Sequence, residues 1–156
     1  MQRSKTAVTL LLIAVGTMFA SLTSAMFVRR GLGGDWQALP LPPIALWNVL
    51  ILATSSISLE LARRRNSRSL WIVACMLGAI FVGIQALVWR DLSMAGFIAA
   101  TNPSSSFFYL LSGLHGMHVI GGIAALLATR AVAATWYWHG MSVLWAYLML
   151  LFRWME

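Results

Sequence analysis

The chain has 156 residues, of which 60% are hydrophobic and 10% charged, and it carries a net charge of +7. That is too apolar for a soluble domain of this size to cover with polar surface, so the membrane is the expected solvent. Five spans of about 20 residues each, joined by short turns, would use nearly the whole length and leave no room for a soluble catalytic domain.

The positive charge does not point to nucleic acid, because the Arg residues stand at the ends of apolar runs and not along one polar face. The one cysteine, Cys75, lies inside an apolar run. It offers no disulfide framework, no CxxC pair and no thiolate cluster for a metal, and reads as a small apolar filler.

The first residues, Met1 to Lys5, precede an apolar run from Thr6 to Val28 that ends in Arg29 and Arg30. A secretory h-region spans about 7–15 residues, so the longer run is read as a retained first helix. The loop that follows, Arg29 to Pro43, holds Gly31, Gly33, Gly34, Asp35, Trp36 and the cluster Pro40, Pro42, Pro43, residues that break helices and make turns. A second span runs from about Ile44 to Ala62 and stops at the basic block Arg63, Arg64, Arg65 and Arg68, which is costly inside hydrocarbon.

The third span, about Leu70 to Val88, ends at Trp89, Arg90 and Asp91. A loop then reaches Asn102 and Pro103, and within it Met94 to Ala100 is apolar but too short to cross. The fourth span is about Phe107 to Thr129, followed by Arg130 and, after an unusually short join, by a fifth span from about Ala134 to Phe152. The expected fold is therefore all-α, a single membrane-embedded bundle over residues 1–156 with no internal repeat.

Orientation follows from Lys and Arg on alternate sides. With the N-terminus inside, the inner side holds Arg3, Lys5, Arg63, Arg64, Arg65, Arg68 and Arg130, and the outer side Arg29, Arg30, Arg90 and Arg153. The positive-inside rule favours N-terminus in and C-terminus out. Asp35, Asp91 and Glu156 then face outside.

Small residues recur at Gly16, Ala20 and Ser24 in the first span and at Ser112, Gly116, Gly121 and Ala125 in the fourth, a pattern that lets helices approach closely in lipid. Trp36, Trp47, Trp71, Trp89 and Trp154 lie near span ends, where indoles anchor among headgroups. Ionisable groups within spans are few: Glu60, His115, His118 and His139. Glu60 has Arg63 and Arg64 three and four residues on, close enough to pair on one helical face. His115 and His118 share a face of the fourth span, whereas His139 begins the fifth near the opposite surface, so the three are not expected to meet on one metal ion. No P-loop, HExxH, GxSxG or pair of buried carboxylates is present, and no catalytic, cofactor or metal site is expected in the chain.

Three stretches together resemble subunit III of the haem–copper oxidases, the accessory subunit of cytochrome c and quinol oxidases. They are Trp36 with Leu39 to Glu60 (LPLPPIALWNVLILATSSISLE), Phe107 to Gly122 (FFYLLSGLHGMHVIGG), and Trp136 to Trp145 within TWYWHGMSVLW. The likeness runs from about Met18 to the C-terminus and is similar to the five-helix bacterial version. It implies an accessory membrane subunit that binds no haem or copper itself, packs on the haem- and copper-bearing subunit I with subunit II in the same complex, holds phospholipids and helps sustain proton uptake in the bacterial inner membrane. On that resemblance the lipid or subunit contacts fall to Glu60, Arg63, Arg64, His115, His118, His139 and Trp145. The family's acidic residues have no counterpart at Val15, Gly16 or Ser142, so a proton role that depends on them is not implied. Neither electron donor nor acceptor is legible, and a companion of a nitric oxide reductase is an alternative. An independent small transporter is a second class of reading, marked by flux in liposomes. A haem enzyme using His115 and His118 is a third, marked by a Soret band in the isolated chain.

Overall fold

The structure, a computed structural model, describes residues 2–129 and 131–155, with side chains from residue 6 onward. The side chains of Arg3, Lys5, Arg130 and Glu156, used in the charge count, lie outside the described residues. Five helices follow one another: α1 (Gln2–Leu32), α2 (Pro43–Arg65), α3 (Arg68–Met94), α4 (Pro103–Ala128) and α5 (Val132–Met155). Among the described residues there is no strand.

Helices α1 to α4 are long and apolar enough to cross a membrane. Helix α5 has 24 residues, about 36 Å at 1.5 Å per residue, against a hydrocarbon layer of about 30 Å. Its lower hydropathy comes from Trp136, Tyr137, Trp138, His139, Trp145 and Tyr147, large rings that each carry a polar atom. It packs against α1, α2 and α4, so α5 belongs to the same helical bundle.

Local chemistry explains the helix ends. Asn66 adopts a left-handed conformation at φ 47° and closes α2, and the Ser67 amide then donates to the Ala62 carbonyl at 3.0 Å. Ser67 caps α3 at once, so the hairpin needs only two residues. Helix α4 begins at Pro103, four residues ahead of the expected start, because the Asn102 side chain accepts from the Ser105 amide at 3.0 Å and Pro suits the first helical position. Helix α3 runs past Arg90 and Asp91 to Met94, since those two pair with each other at 3.1 Å and do not break it.

Helices α2, α3, α4 and α5 form a closed ring of neighbours, and α1 lies outside it against α4 and α5. Trp138 of α5 holds the ring together. The indole is fully buried. Its Nε1 donates to Ser55 Oγ of α2 at 3.1 Å, and that hydroxyl donates to the Ala74 carbonyl of α3 at 2.7 Å. A Cβ on Gly78 would stand 2.6 Å from the Trp138 ring, and one on Gly122 3.0 Å from it. Two glycines from α3 and α4 thus form the slot that admits the ring.

The expected small-residue stripes do not do this work. Gly16, Ala20 and Ser24 are exposed on α1, whose inward face is Val15, Phe19, Thr23 and Met26. In α4, Ser112 is buried, but Gly121 is exposed and Gly116 has open space beside it. The close approach falls one residue away, at Gly122, while Gly113 makes only ordinary contact with Trp89. A four-residue repeat of small side chains does not say which side of a helix meets its neighbour.

Candidate functional site

Glu60, Arg63, Arg64 and His139 gather at the end of the bundle where α2 finishes. Helical spacing puts Arg63 and Arg64 beside Glu60. Arg63 donates through Nε and Nη2 to the two Glu60 oxygens at 2.9 and 2.6 Å, a two-pronged pair, and Arg64 Nε donates to Oε1 at 2.7 Å. The expected ion pair is present. His139 joins it from α5, with Nε2 3.7 Å from Glu60 Oε2 and Nδ1 sharing a 2.5 Å hydrogen bond with Ser56 Oγ. The result is a four-residue polar knot between α2 and α5, half-buried at Glu60 and His139 and open at the arginines.

Beyond it Arg65 and Arg68 extend the basic surface, and no carboxylate pairs with either among the described residues. Arg68 borders a groove of about 350 Å³ between the start of α3 and the end of α4, with Trp71, Ile72, Leu126 and Leu127 in its walls. Trp71, expected among headgroups, instead buries its ring and donates from Nε1 to the Leu126 carbonyl at 3.1 Å. Trp89 likewise donates to Ser112 Oγ at 2.9 Å. These two indoles tie α3 to α4, whereas Trp47 and Trp154 are exposed as anchors would be.

His115 and Trp145 stand elsewhere, inside the bundle. Both are fully buried, stacked with ring centroids 4.9 Å apart and planes at 21°. Phe81 stands nearly perpendicular to both, and Phe19 of α1 approaches His115 and His118 at 6.5 and 6.0 Å. His115 and His118 therefore do share the face that meets α1. Neither His115 ring nitrogen has a hydrogen-bond partner among the described residues. His118 Nδ1 bonds the Leu114 carbonyl of its own helix at 2.7 Å. Of the contact candidates, Arg63 and Arg64 are exposed and Glu60, His118 and His139 half-buried, while His115 and Trp145 are internal packing partners.

Among the described residues, no group of three or more His, Cys, Asp or Glu is placed to hold a metal ion. Cys75 is buried with a free thiol, as a filler would be. At the opposite end of the bundle, Arg29 donates to Asp35 at 2.6 Å, and the guanidinium holds this loop carboxyl below its usual range.

Sequence reading missed Ser56 as the partner of His139, and it missed the amides. Asn48 and Gln85 are fully or nearly fully buried, with Asn48 Nδ2 donating to the Phe81 carbonyl at 3.2 Å and standing 3.5 Å from Gln85 Oε1. The signal was available: an uncharged amide in an apolar span is as unusual as a histidine.

No protein-family model matches the chain. Individual relatives do. A probable cytochrome c oxidase subunit 3 of Mycobacterium tuberculosis (strain ATCC 25618 / H37Rv) is 28% identical over 86% of this chain and 83% of its own length. The cytochrome c oxidase subunit 3 of Gallus gallus is 27% identical over 90% of this chain and 63% of its own. That of Thermostichus vulcanus is 30% identical over 88% of this chain and 80% of its own. With this likeness spread over all five helices of an apolar bundle, the chain belongs to the cytochrome c oxidase subunit 3 family, the subunit III of haem–copper oxidases.

Proposed function

We propose that this chain is an accessory subunit of a respiratory haem–copper terminal oxidase in a bacterial cytoplasmic membrane, packed on the subunit that carries haem and copper and in one complex with subunit II. The observation that carries the reading is the subunit 3 likeness along most of the chain and most of its bacterial relatives' length. The use of its histidines agrees: His139 is engaged by Glu60 and Ser56, His118 by its own helix, and His115 by aromatic rings. In this reading the haem and copper reside in partner chains, and this chain supports assembly, lipid retention and proton uptake.

The lipid role rests on the basic end. Arg68 supplies a cation at the mouth of the Trp71 groove, where a phospholipid phosphate would find charge and its acyl chain an apolar wall, and the exposed Arg65 adds charge to the same helix hairpin. That end is the cytoplasmic one if the positive-inside rule holds here, which puts the N-terminus in and the C-terminus out.

The test is to tag the chain, extract it gently from its native membrane, and record co-purifying proteins with the visible spectrum. Haem bands together with a large haem–copper subunit are expected. A colourless chain that stays intact alone would overturn the subunit reading.

A further inference from the structure

The two histidines of α4 use their rings differently. His115 is sealed inside the bundle, whereas His118 is half-buried at the edge of α4 against which α1 packs. His118 Nδ1 stands 2.7 Å from the Leu114 carbonyl of its own helix, and a carbonyl only accepts, so the ring proton lies on Nδ1. In the neutral imidazole that leaves Nε2, on the far side of the ring, as a bare acceptor.

Among the described residues no donor reaches His118 Nε2, and unlike the His115 nitrogens it is not sealed inside the bundle. Phe19 of α1 brings only a hydrocarbon ring, its centroid 6.0 Å away. Tyr137 of α5 comes close, but its hydroxyl donates to the His118 carbonyl at 3.1 Å. Lipid does no better. His118 lies near the middle of the 26-residue α4, while headgroups begin about 15 Å from the centre of a hydrocarbon layer of about 30 Å. Acyl tails carry no donor, and a polar atom left open to hydrocarbon is costly. Gly121, one turn further along α4, is exposed with open space where a side chain would stand. A neighbouring backbone can therefore come close at this edge.

We infer that the α1–α4 edge at His118 is a docking surface for a transmembrane helix of a neighbouring subunit, and that this helix presents an O–H or N–H donor to His118 Nε2. A Ser, Thr, Tyr, Trp, Asn or Gln side chain supplies such a donor, and the gap at Gly121 lets even a short one reach. The inference deepens the subunit reading and rests on it, since it requires a partner within the membrane. It gives His118 a contact with protein and not with lipid.

The deciding experiment is a cryo-electron-microscopy map of the complex that co-purifies with the wild-type chain in native lipid. A partner side-chain donor within hydrogen-bond distance of His118 Nε2 is expected. Acyl chains or a non-protein molecule at that nitrogen would overturn the inference and leave the subunit reading standing, whereas a chain that purifies alone would sink both. Variants read the same contact by affinity. His118→Phe keeps a ring and removes the acceptor, and it should raise the dissociation constant of the chain from the complex about threefold, the size of one interhelical hydrogen bond in lipid. His118→Gln keeps an acceptor and should recover part of that loss. Equal affinity of wild type and His118→Phe would count against the contact, and the wild-type map decides where a variant does not fold.

Discussion

Two indoles on α5, seven residues apart, make an instructive pair. Trp138 and Trp145 are both fully buried, both lie on the inward face of one helix, and both carry a single N–H. Trp138 sits in a slot cut by Gly78 and Gly122 and donates to Ser55, which passes the bond on to α3. Trp145 lies flat against His115 with the Phe81 ring nearly perpendicular beside it, and its N–H has no acceptor among the described residues. The first is a closed joint between helices. The second is a packed surface with its polar edge left over. In lipid, where no hydrophobic drive holds helices together, close fit and satisfied hydrogen bonds carry association, so the region around Trp138 should dominate stability.

The contrast is most sharply broken at the slot. Gly78→Leu would push a branched side chain into space the Trp138 ring occupies, and Trp138→Ala would empty it. Each should cost on the order of 3 kcal/mol, seen as loss of folded chain in a detergent unfolding titration. Trp138→Phe keeps most of the ring and removes the N–H. It should cost about 0.6 kcal/mol and at most about 1.7, and with Ser55→Ala the two losses should not add. Trp145→Phe makes the same atomic change, and its loss should be the smaller of the two in the same titration. An equal loss would show that the distinction drawn between the two indoles is wrong.

Weaker effects are expected at the ionic ends. Glu60→Gln leaves Arg63 and Arg64 without their carboxylate but leaves both arginines at a wet surface, so folding should change little. If the basic end holds lipid, Arg65→Gln with Arg68→Gln should lower the phospholipid retained after purification while leaving the fold intact. Lipid content measured by mass spectrometry checks this. The smallest effect belongs to Asp35→Asn. Its pair with Arg29 is exposed, and the change should not shift melting measurably at neutral pH. Since Asp35 titrates below the usual range, any small contribution from the pair is present at neutral pH and lost only in acid, as the carboxyl protonates.

How much of this was legible beforehand differs between levels. The five spans could be read from apolar runs bounded by arginines, and the bundle follows from them. Their ends could not, because α4 starts where an Asn–Pro cap lets it and α3 passes an Arg–Asp pair that neutralises itself. The Glu60 pairs were legible since Arg63 and Arg64 lie one helical turn away. His139 was not, because it joins Glu60 from a helix remote in sequence, and separation along the chain says nothing about which helices face each other.

The amino-acid sequence by itself determined that this chain is a multi-pass helical protein, because apolar length and basic ends are properties of one segment at a time. Family motifs in the same string placed it beside subunit 3 proteins. Only the tertiary structure decided which small residues become slots, which histidine meets Glu60, and which buried polar atoms stay unanswered. Those are relations between segments, set by the rotation of each helix about its axis, and a shift of one residue, such as that between Gly121 and Gly122, turns a side chain from lipid to core.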